Sequence, residues 1–166
     1  MTEAQLSNAM DAYGSTVYRL ALTRMQNIAD AEDVYQEVFL RLWKQAAEDW
    51  DGDRAKAWLI RTTLNRCADL HRFRLRRPVL SFAEIPDLAQ PEDESRELWE
   101  AVSRLPEKAR TAVHLYYAEG YSAEEIGQLM HVPAATVRTR LHRARRQLKE
   151  LLGGNDDEAC VSRFDG

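Results

Sequence analysis

Apolar positions along this chain recur every three or four residues over long stretches, the spacing that puts one buried face on an α-helix. Tyr13, Val17, Leu20, Ala21 and Ile28 outline an opening helical hairpin partner. Asp30 is placed to cap a following helix, with Glu32 and Asp33 in its first turn, where the helix dipole favours acids. Val34, Val38 and Leu42 line the inner face of that helix, Phe39 and Trp43 add bulk, and Asp33, Gln36 and Glu37 project elsewhere. A further helix is expected from about Arg54 to Arg77. Ala57, Ile60, Leu64, Cys67, Ala68 and His71 form its packing stripe, and Arg61, Asn65, Asp69, Arg72 and Arg76 a second, polar one. Neither Gly nor Pro occurs between Ser15 and Asp51 or between Asp53 and Arg77, and no Val/Thr-rich alternation suggests strands.

The second half of the chain is more punctuated. Ala109, Ala112, Val113, Tyr116 and Tyr117 give one apolar face to a helix over Glu107–Ala118, and Gly120 is a natural left-handed stop. Ser122 with Glu125 three residues later is a capping box, so the next helix starts at Ser122. Ala123, Ile126, Leu129 and Met130 are its apolar members, and Gly127, without a side chain, admits a close neighbour. His131-Val132-Pro133 makes a turn, since proline fits only at or just before a helix start. The last helix runs from about Ala134 to Leu152, about 28 Å at 1.5 Å per residue. Its buried stripe is Val137, Leu141, Ala144 and Leu148.

Proline and acidic residues divide these halves. Pro78, Pro86, Pro91 and Pro106 crowd one stretch, and residues 81–104 carry seven acids against Arg96 and Arg104. Pro78 to Pro91 reads as a linker, with a helix restarting near Asp93. The expectation is an all-α chain of two small helical domains, 1–77 and 105–152, joined by an acidic, proline-containing linker over 78–104. A tail, 153–166, reads as disordered. The 166 residues carry a net charge of -4, yet 1–80 and 105–152 are net positive while linker and tail are acidic. Each basic segment has to be judged by its own face. No apolar run approaches a bilayer span, and no basic-then-apolar leader opens the chain. Cys67 and Cys160 stand in no metal or redox spacing, which suits a reducing cytoplasm. Cys67 belongs to the buried stripe. His71 reads as packed or capping rather than as a ligand.

The chemistry lies in the basic faces. On the last helix Arg138, Thr139, His142, Arg143 and Arg146 lie off the buried stripe, and no acid precedes Glu150. A short helix, a tight turn and a basic helix with polar groups at its start follow helix-turn-helix logic, in which arginine grips guanine O6 and N7. Arg140, Arg145 and Lys149 are placed for phosphates. A merely solvated basic face is the bland alternative, and the capping box, turn and acid-free helix together outweigh it. Six arginines fall between Arg61 and Arg77 against Asp69 alone, and Asn65 can hydrogen-bond a base. Trp50 and Trp58 could stack on bases, although an aromatic in a small helical core is commoner. No phosphate-cradling glycine loop, paired-histidine spacing or Ser/His/Asp grouping points to an enzyme or a cofactor.

Three runs carry a family resemblance. Asp30-Ala-Glu-Asp-Val-Tyr-Gln-Glu-Val-Phe-Leu-Arg-Leu-Trp43 resembles the polymerase-binding helix of bacterial sigma factors. Ala57-Trp-Leu-Ile-Arg-Thr-Thr-Leu-Asn65, with Asp69 and the arginine cluster, resembles the promoter-melting helix of the same domain, sigma region 2. Leu105-Pro106, Tyr121-Ser122 with Glu125-Ile126, and Thr136-Val-Arg-Thr-Arg-Leu-His-Arg-Ala-Arg145 resemble the region 4 DNA-binding domain. The order and the short two-domain form match the extracytoplasmic-function class, group IV, from about Asp11 to Leu152.

The resemblance implies a cytoplasmic, non-catalytic promoter-specificity subunit without a cofactor or metal. Asp33, Gln36 and Glu37 would dock on the clamp helices of the largest subunit of core RNA polymerase. Arg61, Asn65, Arg72 and Arg76, with the loop Glu48 to Lys56, would engage and melt the minus-ten element, the loop holding a flipped base. Arg138, Thr139, His142 and Arg143 would read the minus-thirty-five element of promoter DNA. The linker would lie along the polymerase, and an anti-sigma partner is implied. The tail with Cys160 lies outside the shared pattern. A stand-alone helix-turn-helix regulator, dimeric on a palindrome, is the competing function, but it leaves the acidic helix without a purpose and the chain shows no dimer seam. A purely structural helical adaptor would not need the basic faces.

Overall fold

Thr2 begins the first helix. Its side chain accepts from the Gln5 backbone N–H, and the Gln5 side chain accepts in return from the Thr2 N–H. This capping box starts α1 at Glu3, well before the Gly-free stretch, and α1 runs Glu3–Met25 straight through Gly14. The chain is described here by a computed structural model covering residues 1–45, 52–73 and 96–153. Gly14 is buried because a Cβ there would stand 3.1 Å from the Tyr35 hydroxyl of the next helix. Gln26, at φ 50°, ends α1 in the left-handed conformation.

Helix α2 is Ile28–Lys44, and its cap differs from the expectation. Asn27, not Asp30, is the N-cap; its side-chain oxygen accepts from the Asp30 N–H at 3.0 Å, and Asp30 is itself buried one turn inside the helix. Helix α3 is described as Gly52–Phe73. α1 packs on both α2 and α3, and α2 on α3. Between them Val17, Ala21, Val34, Val38, Leu42 and Leu59 are fully buried in one core cluster. Tyr18, Tyr35 and Phe39 line up in it with ring centroids 5.9 and 4.8 Å apart.

The packing stripe on α3 is broader than the expected one. Leu59, Thr63 and Leu70 are buried with Ile60, Leu64 and Cys67, whereas Ala57 and Ala68 are half-buried. The reason is that α3 meets two helices, so more of its circumference is covered than a single stripe assumes. Thr63 tolerates complete burial because its hydroxyl donates to the Leu59 carbonyl at 2.7 Å. His71 is exposed and caps, since its Nε2 lies 3.2 Å from the Arg24 carbonyl at the end of α1.

The remaining helices form a second compact unit, the division falling between Gln90 and Pro91. Helix α4, Arg96–Ser103, is the helix expected to restart near Asp93, inside the stretch assigned to the linker as far as residue 104. Its Leu98, Ala101 and Val102 are buried, an amphipathic spacing hidden among acids. Helix α5, Glu107–Val113, passes into a π-helical segment, His114–Ala118, where the Glu119 N–H reaches back five residues to the His114 carbonyl. That wider turn changes the helical phase. His114 and Leu115 are buried, while Tyr116 and Tyr117, expected on the apolar face, are half-buried. Helices α6, Ala123–Met130, and α7, Ala134–Leu151, complete the unit, and α7 packs against α4, α5 and α6. The expected linker from Pro78 to Pro91, Arg76, and the tail from Gly154 with Cys160 lie outside the described residues, as do residues 48–51 of the loop expected over Glu48 to Lys56, with Trp50; Gly52 to Lys56 belong instead to α3.

Candidate nucleic-acid and polymerase interfaces

The helix-turn-helix is fixed by local chemistry at each end of α6. The Ser122 side chain accepts from the Glu125 N–H, and the Glu125 carboxylate accepts from the Ser122 N–H, both at 3.1 Å. Gly120 takes φ +75° ahead of this box, and His131 takes φ 58° after α6. Gly127 permits a close approach, made by the turn and the first residue of α7. A Cβ there would lie 2.6 Å from the Val132 carbonyl oxygen and 3.3 Å from the Ala134 nitrogen, so the turn itself folds back onto α6. Pro133 then sits at the N-cap of α7 in extended conformation, with its carbonyl accepting from Thr136 and Val137.

α7 carries the expected division of faces. Val137, Leu141, Ala144 and Leu148 are buried, while Arg138, Thr139, His142, Arg143 and Arg146 are exposed. Two of the named side chains are already engaged. Arg138 Nη2 donates to Glu124 of α6, and the Thr139 hydroxyl donates to the Ala135 carbonyl. Arg145, expected as a phosphate arm, is half-buried and engaged within its own unit. Its Nε donates to the Tyr117 hydroxyl at 2.5 Å, and its guanidinium stands 5.6 Å from the Tyr117 ring and 5.9 Å from that of Tyr116. The displaced tyrosines of the π-helical segment are what capture it. Arg140 is half-buried and Lys149 exposed.

In the first unit Arg61, Asn65 and Arg72 are exposed along one side of α3, with Asp69 half-buried beside them. On α2 Asp33 and Gln36 are exposed and Glu37 is half-exposed, its carboxylate accepting from Arg41 Nε at 3.0 Å. Leu40 and Trp43 were not singled out as interface residues, yet they are the large apolar side chains exposed on this helix, at 46% and 41%. Trp43 therefore does not add bulk to the core as its spacing suggested. It stands seven residues from Gln36, two helical turns along the same side. The contact of Glu124 with Arg138 is not legible in the sequence, because fourteen residues separate them and no local spacing relates them.

The geometry has matching relatives. Sigma-70 region 2 matches residues 9–77 and sigma-70 region 4 matches residues 95–148. The ECF RNA polymerase sigma factor SigE of Mycolicibacterium smegmatis is 35% identical over 90% of this chain, which spans 62% of that relative's length. The ECF sigma factor SigL of Mycobacterium tuberculosis is 30% identical, with 90% of each chain covered. The sigma factor RpoE of Bartonella quintana, solved with the anti-sigma factor NepR, shares the fold at TM-score 0.69 and 24% identity, over 90% of this chain and 95% of that one.

Two sigma regions in order on one all-α chain define a transcription initiation factor. The chain belongs to the extracytoplasmic-function (ECF) RNA polymerase sigma factors, which direct promoter-specific transcription. A stand-alone helix-turn-helix regulator does not account for the region 2 match. Among the described residues, no helix is long and apolar enough to cross a membrane.

Proposed function

We propose that the two units divide promoter recognition between them, in a group IV factor that acts without catalysis of its own in the cytoplasm. Asp33, Gln36 and Glu37 dock α2 on the clamp helices of the polymerase largest subunit. Arg61, Asn65 and Arg72 on α3, with Arg76 beyond the described residues, engage the minus-ten element. Arg138, Thr139, His142 and Arg143 read the minus-thirty-five element in the major groove, while Arg140 and Lys149 contact phosphates. Arg145, held by the Tyr117 hydroxyl, contacts phosphate beside them. An anti-sigma factor is the expected inhibitor, by analogy with the partner of the Bartonella protein.

The observation that carries this reading is the segregation on α7. Its exposed side is polar and basic, its other side is buried, and a capped turn sets its direction. A chain of net charge -4 should bind free DNA only weakly, because phosphate contacts dominate affinity. Stable binding then depends on the polymerase, and melting costs a few kcal/mol per unstacked step, offset by capture of single-strand bases.

The test is co-elution of the full chain with purified bacterial core polymerase, wild type against an Asp33/Gln36/Glu37→Ala triple variant. Stoichiometric co-elution lost in the variant supports the docking face. Co-elution that survives it removes that face while leaving the family function in place. In the holoenzyme, Arg143→Ala should cost about 1–3 kcal/mol of discrimination at the upstream element. An unchanged preference across substituted upstream sequences removes Arg143 from the reading face.

A further inference from the structure

Glu124 lies in the first turn of α6, and Arg138 begins the second turn of α7. Both side chains are largely exposed, 62% and 59%, yet they meet across the motif as an ion pair, Arg138 Nη2 donating to Glu124 Oε1. Nothing local brings them together, since fourteen residues separate them. The turn does: the Ser122–Glu125 box fixes the backbone on either side of Glu124, and the Gly127–Val132 approach sets the angle from which α7 leaves.

A long arginine side chain on an exposed face ordinarily samples many rotamers, and ordering it opposes binding. A guanidinium has five N–H donors. The carboxylate takes a donor at Nη2, and enough remain for a bidentate grip on guanine O6 and N7. The same carboxylate is anionic, so it disfavours nearby phosphates. Its net effect is to hold Arg138 towards base edges and away from the backbone.

We propose that Glu124 is a positioning residue for Arg138, an acidic buttress on the first helix of the motif that converts Arg138 from a general cation into a base reader. This rests on α7 being the upstream-element reader. Glu124 itself touches no base. Its signature is a trade: it raises discrimination while lowering affinity for mismatched DNA, the opposite of what a lost phosphate contact or a damaged fold produces.

The experiment uses full-length protein in holoenzyme with core polymerase, binding a promoter panel with each upstream base pair substituted singly. The variants are Glu124→Gln, Arg138→Ala and the double. Arg138→Ala should lose about tenfold discrimination at one base pair. Glu124→Gln should lose roughly fivefold at the same base pair, as a surface pair coupled to a neighbour allows, with mismatched promoters bound at least as tightly as by wild type. In the Arg138→Ala background, Glu124→Gln should add nothing. Unchanged or sharpened discrimination in Glu124→Gln, with Arg138→Ala still defective, overturns the positioning role and leaves Arg138 as a reader. A loss spread evenly over the panel also overturns it. No effect of Arg138→Ala removes Arg138 from the upstream reading and this inference with it.

Discussion

The two units hold an exposed polar helical face in place by different physical means. The first unit relies on length. Its helices run 23, 17 and 22 residues, and a continuous apolar seam between them holds each in place. The second relies on local backbone chemistry. α4, α5 and α6 have only eight, seven and eight residues, too short to be stable alone, and the direction of α7 is set by a capping box, a left-handed residue and a glycine contact. A long-helix unit should therefore be sensitive to lost core volume, and a short-helix unit to altered turns and caps.

The largest effect should come from the first unit's core. Leu59→Ala, at a fully buried site, should destabilise by about 2–5 kcal/mol. Hydrogen exchange resolved by unit checks this: faster exchange in α1–α3 with α5–α7 unchanged sharpens the contrast, and equal acceleration in both units breaks it.

Two glycines give the next comparison. Gly127→Ala forces a Cβ to within 2.6 Å of a backbone carbonyl and should destabilise the second unit by about 1–3 kcal/mol, with loss of upstream-element binding. Gly14→Ala faces the far end of Tyr35 at 3.1 Å, a side chain that can shift, and gains helix propensity, so its net effect should stay below about 1 kcal/mol. Melting curves showing equal losses at both positions would refute the distinction. Ser122→Ala removes the box that starts α6 and should cost about 1 kcal/mol. No change in the denaturation midpoint would mean that tertiary contacts alone position α6.

The smallest effect is a response to alkali in the first unit. Burial, and then the Glu32 charge, push the Tyr18 hydroxyl above its ordinary value of 10.0; burial, and then Asp11, do the same to Tyr35. The folded state keeps these protons more tightly, so their contribution is complete below pH 10.0 and declines as pH rises through the folded values. Raising the pH above 10.0, the ordinary tyrosine value, should lower the stability of α1–α3. A flat profile there would show the rings to be solvated.

The contrast also explains what was legible beforehand. Ser122, Glu125, Gly120 and Pro133 each act on backbone within a few residues, so the sequence alone determined where α6 and α7 begin, and with them the buried Val137–Leu148 stripe and the exposed side of α7. The exposed sides of α2 and α3 were legible for a similar reason, since helical periodicity separates Asp33 and Gln36 from Val34 and Val38. Even so, Asn27 outcompeted Asp30 as the cap, because either oxygen could serve and only the starting point of the packed helix chooses. Tertiary structure alone decided the rest: how much of α3 its two neighbours cover, that the π-helical turn swings Tyr117 onto Arg145, that Trp43 faces outward, and that Glu124 meets Arg138. Each of these depends on which surfaces meet across many residues of chain, and no spacing within one helix encodes that.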